Sequence, residues 1–242
     1  MTPSRSGMSP LRLARTAGVF YVVTILGGLF AEIFVRGKMI VPNDAAATAQ
    51  NILASETLFR LGFAADLVGG AAYVVVTLLL YELLKPVNRP VALLSVLFSL
   101  VGSAIGAAAA VAHIAPLLLL KGAAYLNVFS GAQLQAMGLF LLKLHQQGLL
   151  VALIFFGCYC LLLGWLIFNS TFMPRTVGVL IAISGAALLA NSFGLFIAPP
   201  FGNAVNTYVL ALDGLGEIAL TVWLLVMGVN SAKWEAVASA SQ

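Results

Sequence analysis

The chain holds eight acidic residues and two histidines in 242, and several of them lie in apolar runs where charge is costly. Asn206, Asp213, Glu217 and Thr221 follow one another at helical steps and share one helix face. Thr24, Gly28 and Glu32 share another, and Asp66, Gly70, Tyr73 and Thr77 mark a third run. His113 lies beyond a small-residue stripe of Ser99, Gly102, Gly106 and Ala110. His145 opens a further apolar run, and Asn191 and Ser192 lie near the end of the next. Carboxylates in such surroundings can hold a proton or a cation. Imidazoles joined by carboxylates can hold zinc, and two histidines on neighbouring helices can be the axial ligands of a haem.

The candidate ligand-binding set is Glu32, Asp66, His145, Asn191, Asp213 and Glu217. No residue is assigned a catalytic role. An acid at the centre of a bilayer-spanning helix costs about 2.5–3.5 kcal/mol on the insertion scale, so these groups should face a protein interior, a water pocket or a cation. Three uses fit: a structural hydrogen-bond network, a polar pocket for a small ligand, ion or proton, and a metal or haem site. Against the metal, only Asp213 and Glu217 offer two ligands from one helix at a suitable step. The chain has no phosphate-binding loop, dinucleotide glycine fingerprint, His-Glu-x-x-His zinc motif or Gly-x-Ser-x-Gly elbow. Cys158 and Cys160 point to different faces of one helix and serve packing.

What must position these residues is a membrane. The chain is 62% hydrophobic and 8% charged, against roughly 25% charged in soluble domains, and its mean hydropathy is +1.06. Between Arg175 and Asp213 no residue is charged, although a spanning helix needs only about 20 apolar residues. Six spans are expected, at about 14–35, 58–84, 90–120, 145–168, 175–197 and 206–229. Pro199-Pro200 and Gly202 separate the last two. A cleavable leader is the alternative for the first run, but no Ala-x-Ala-like site follows it. Asn43 and Asp44 can cap a short helix over 45–55, and Ser130 can cap a partly amphipathic helix through Lys143. The polar end from Asn230 should fray, with Trp234 at the interface.

Six spans return both termini to one side. With the termini inside, Arg5, Arg12, Arg15, Lys85, Arg89, Arg175 and Lys233 are cytoplasmic, and Arg36, Lys38, Arg60, Lys121 and Lys143 are outside. The N-terminal arginines favour this orientation, because the first helix usually dominates. At about 1.5 Å per residue, the candidate acids and both histidines then lie in the outer half. Glu82, beside Lys85, is an inner interfacial charge. An offset of 86 residues aligns Gly62 with Gly148, Tyr73 with Tyr159 and Arg89 with Arg175, so spans two and three are a candidate parallel repeat of four and five. Chance likeness of two hairpins is the alternative.

Beyond composition, a series of short motifs runs in order along the chain. They are Ala14-Arg15-Thr16-Ala17-Gly18 with Tyr21, Ala31-Glu32, Val41-Pro42-Asn43-Asp44-Ala45-Ala46, and Leu58-Phe59-Arg60-Leu61-Gly62. They continue with His145 and Gly148, Phe155-Phe156-Gly157, Pro174-Arg175, and Gly216-Glu217 with Trp223-Leu224. Over about residues 12–230 the chain resembles the bacterial domain-of-unknown-function 4386 family of multi-pass membrane proteins. The resemblance implies a bacterial inner-membrane protein and supplies no activity or catalytic residue. His113 is not part of the family pattern.

The expected architecture is all-α: a six-span transmembrane helical bundle over 12–230, between cytoplasmic tails at 1–11 and 231–242. The expected function is binding or moving a small ligand, ion or proton through an outward-facing polar pocket, without enzymatic activity. The alternatives are an intramembrane metal-dependent enzyme and a sensor or assembly subunit. No cofactor is expected, with metal or haem as the minority case. The partners are the lipid bilayer and an unidentified small ligand or ion; twelve scattered Lys and Arg form no nucleic-acid stripe.

Overall fold

A computed structural model describes residues 8–240; residues 1–7 of the expected tail at 1–11, Arg5 among them, and 241–242 of the tail at 231–242 lie outside them. The described residues form helices and turns without a strand, and six helical stretches are long and apolar enough to cross a membrane. The protein is an all-α, multi-pass membrane protein. Its large apolar side chains fit that solvent: Leu26, Leu78, Leu118 and Val226 are all more than half exposed. Hydrocarbon takes no hydrogen bonds, so each spanning backbone closes its own as a helix.

The first crossing is α1 (Pro10–Leu29), a π-helical segment (Phe30–Arg36) and the short α2 (Gly37–Met39). Next comes α3 (Ala45–Ala54), where the Asp44 side chain accepts the Ala47 N–H at 2.8 Å as the expected cap. The second and third crossings are α4 (Glu56–Leu84) and α5 (Arg89–Leu120), joined by the tight link in which Asn88 Oδ1 accepts the Val91 N–H.

Three boundaries differ from expectation. Helix α6 runs unbroken over Gly131–Asn169, so the separate helix expected before His145 is the first part of the fourth span. Lys143, Gln146 and Gln147 look like a boundary but cost a helix backbone little. Ser130 does cap it: its Oγ accepts the Gln133 N–H, and Gln133 Oε1 accepts the Ser130 N–H. The break between α7 (Arg175–Ile197) and α8 (Pro199–Val226) falls at Ala198. The two prolines begin α8, because the first helical positions need no N–H. The last described residues are not frayed. Asn230 Oδ1 caps α9 (Ser231–Ala240), and the Trp234 indole N–H donates to the Leu83 carbonyl at 2.7 Å. Arg89 and Arg175 both open helices, as the offset of 86 requires, but α3 stops before α4 whereas the N-terminal part of α6 runs on into the span.

The chain packs as two compact units. One consists of the described chain to Val22, Tyr73–Gly102 and the described chain from Val151; the other is Val23–Ala72 with Ser103–Leu150. In the first, α6 and α7 cross on glycines. A Cβ on Gly164 would lie 2.6 Å from the Gly178 carbonyl oxygen, and one on Gly185 2.6 Å from that of Gly157. Small residues allow such backbone approach in membranes, where dispersion holds helices together. In the second unit, Val35, Met39, Ile52, Phe59, Leu117 and Leu142 form an apolar core.

Gly164→Ala must push two backbones apart and should cost about 1–3 kcal/mol. Gly106→Ala, where a Cβ meets nothing within 4 Å, should be neutral or gain up to about 1 kcal/mol of helix propensity. Unfolding of the two variants in detergent checks the opposite signs.

Candidate functional site

The π-helical turn carries the first two members of the candidate site in the second unit. Gly37 N–H bonds back to the Glu32 carbonyl, five residues earlier, and such turns are frequent at functional sites. Arg36, on this turn, is 7% exposed. Its Nε donates to Glu32 Oε2 at 2.7 Å. Its Nη1 and Nη2 grip Asp66 at 2.5 and 3.3 Å. The Asp66 side chain is 19% exposed but that of Glu32 66%, so Asp66 is the effective counter-ion. Gly62 permits the approach: a Cβ there would lie 2.8 Å from Val35 of the π-helical turn.

Two buried imidazoles complete the cluster, their rings edge-to-face at 5.3 Å. His113 Nε2 lies 3.4 Å from the Phe59 carbonyl, and Nδ1 lies 3.2 Å from Arg36 Nη1. A carbonyl only accepts and a guanidinium only donates, so these partners assign the proton to Nε2 and the lone pair to Nδ1. His145 Nδ1 lies 2.9 Å from the Ala109 carbonyl and must donate there. Its Nε2 lone pair is buried without a partner. Gly148, one turn on, lets α6 sit against Ala109: a Cβ there would come within 2.6 Å of the alanine methyl. Phe59 stacks on His113 at 4.5 Å. One ligand atom each from Asp66, His113 and His145 lie within 4.8 Å of one another. Both histidines hold their second nitrogen on a backbone carbonyl, the arrangement that orients imidazole toward a metal.

The remaining candidates belong to the first unit. Tyr21 O–H donates to Glu217 Oε1 at 3.3 Å. Asp213 Oδ1 is buried without a hydrogen-bond partner. Asn191 Nδ2 donates to Asn206 Oδ1 at 2.8 Å. The six expected residues therefore fall into groups in two units: Glu32, Asp66 and His145 in one, Asn191, Asp213 and Glu217 in the other. The sequence places Arg36 only among the outer basic residues and does not show it as the hub. Its spacing of four from Glu32 was the available signal. His113, outside the candidate set, is nonetheless in the cluster.

The family model described as Domain of unknown function (DUF4386) matches residues 16–228. The chain belongs to this family. A relative of this DUF4386 protein in Archaeoglobus fulgidus, described as an uncharacterized protein, is 26% identical over 160 residues. That match covers 64% of this chain and 76% of the relative. No solved structure matches the DUF4386 chain.

Removing one partner of a buried ion pair strands the other. Arg36→Met should therefore destabilise the protein by about 3–5 kcal/mol, and the double variant with Asp66→Leu should recover much of the loss. Glu32→Gln should change little, because that carboxylate is open. Thermal unfolding of the four proteins under one condition tests the order.

Proposed function

We propose that this membrane protein binds a divalent transition-metal ion within its second unit, through Asp66, His113 and His145. The observation that carries the reading is the buried, unpartnered Nε2 of His145, set beside two further ligand atoms. Charge supports it as well. Two carboxylates face one guanidinium, so with neutral histidines the cluster carries a net negative charge that a cation would offset. Two imidazole nitrogens with one carboxylate suit zinc and its neighbours better than calcium or magnesium, which favour oxygen. An arriving ion would take the Asp66 oxygen and the His113 lone pair from Arg36, which retains Glu32.

The protein would lie in a bacterial inner membrane with both termini cytoplasmic, on the strength of Arg12, Arg15 and the basic links at Lys85, Arg89 and Arg175. Asp66, which follows the start of α4, and His113, which precedes the end of α5, would then belong to the outward-facing side. We read the protein as a binding or transport-like protein. A metal-dependent enzyme is the second reading, favoured by three protein ligands, which leave a coordination position open.

Metal-free protein titrated with cobalt(II) should bind one ion per chain and develop visible d–d absorption. His145→Gln should abolish the absorption while the protein remains folded by circular dichroism. Equal binding by native protein and this variant would reject the site. For orientation, a cysteine introduced at Asn127 should react with an impermeant reagent added to intact cells; reaction only after lysis would reverse the topology.

A further inference from the structure

A second polar group, in the first unit, is built differently. Asp213 and Glu217 lie one turn apart on α8 and are the only acids in the span. Neither forms an ion pair among the described residues. The only side-chain hydrogen bond to either carboxylate there is the Tyr21 O–H on Glu217 Oε1. Around them, α1 supplies Tyr21, α4 Tyr73, and α6 Tyr159 and Cys160. Helix α7 contributes no titratable group beyond Arg175 at its start, and Ser184 Oγ donates to the Leu212 carbonyl. The three tyrosine rings meet edge-to-face, Tyr73 lying 5.7 Å from Tyr21 and 6.0 Å from Tyr159. Tyr159 is 1% exposed; no hydrogen-bond geometry closes at its hydroxyl, whose polar neighbours are Tyr73, Thr77 and Glu217. A phenol can both give and take a hydrogen bond, so this hydroxyl can serve a carboxylate or a carboxylic acid.

Two carboxylates this close, without a cation, cannot both stay ionised in an apolar span. We propose that Asp213 and Glu217 form an exchangeable proton-binding pair, a site separate from the metal ligands of the other unit. Uptake forms one carboxyl O–H bond from a solvent proton, and release breaks it and returns the proton to water. The Tyr21 hydroxyl holds Glu217 in place in either state. The tyrosines supply neutral polar contact without adding a fixed charge, which leaves the proton free to exchange. A sodium ion would need several oxygen ligands, and the group offers few beyond the two carboxylates.

The test uses the full chain in detergent with dicyclohexylcarbodiimide, an apolar reagent that attacks protonated carboxyl groups. Peptide mapping of native protein should find the adduct on α8 at Asp213 or Glu217. The yield should fall at least several-fold from mildly acidic to alkaline buffer and should not change when sodium replaces potassium. The isosteric double variant Asp213→Asn with Glu217→Gln should lose the α8 adduct. Absence of an α8 adduct from native protein at every pH, or a yield independent of pH, would overturn the proposal. Protection by sodium at constant pH would overturn it in favour of a sodium site.

Discussion

Hydrocarbon returns no hydrogen bond to a polar group, and the structure depends on this constraint. It makes every crossing a helix, and it requires groups of high charge to find partners inside the protein. Arg36 satisfies the requirement through Asp66 and His113, and His113 in turn meets the Phe59 carbonyl and stacks on the Phe59 ring. In water the same contacts would contribute little, because solvent would compete for each of them. Within an apolar core they fix the position of the π-helical turn against α4 and the C-terminal part of α5.

The two polar groups answer the constraint in different ways. Around Asp66 the protein brings a permanent cation, and the imidazoles are left neutral with lone pairs directed inward. Around Glu217 it brings hydroxyls and no cation. A guanidinium holds its charge at any ordinary pH, so the first group is a place of fixed charge. The second, as a proton-binding pair, would change its own charge. Glycines set both: Gly62 and Gly148 admit the neighbours that shape the first, and Gly157, Gly164, Gly178 and Gly185 bring α6 to α7 beside the second.

Much of the architecture was legible because spans are a matter of length and polarity. The run from Arg175 to Asp213 has no charge and must break at its prolines. Asp44 and Ser130 announce their helices through backbone donors that only a side chain can satisfy. The continuity of α6 was hidden, because Lys143 and two glutamines suit the end of a span and the middle of a long helix equally well. The candidate polar residues could be named from the cost of burying them, but not sorted into groups, since helix periodicity gives the face of a residue and not its neighbour. Arg36 was obscured by a different cause: beyond a π turn, faces counted at 3.6 residues no longer match the backbone.

That turn also bears on the history of the chain. A π-helical turn is equivalent to one residue inserted into an α-helix. Removing a residue between Phe30 and Arg36 would let the backbone relax to the commoner geometry without breaking the crossing. The chain on one side would swing by about 100° relative to the other, and Arg36 would leave Asp66 for a different face. Descendants could thus gain or lose the whole cation-holding group by a single-codon insertion or deletion, with every membrane span preserved.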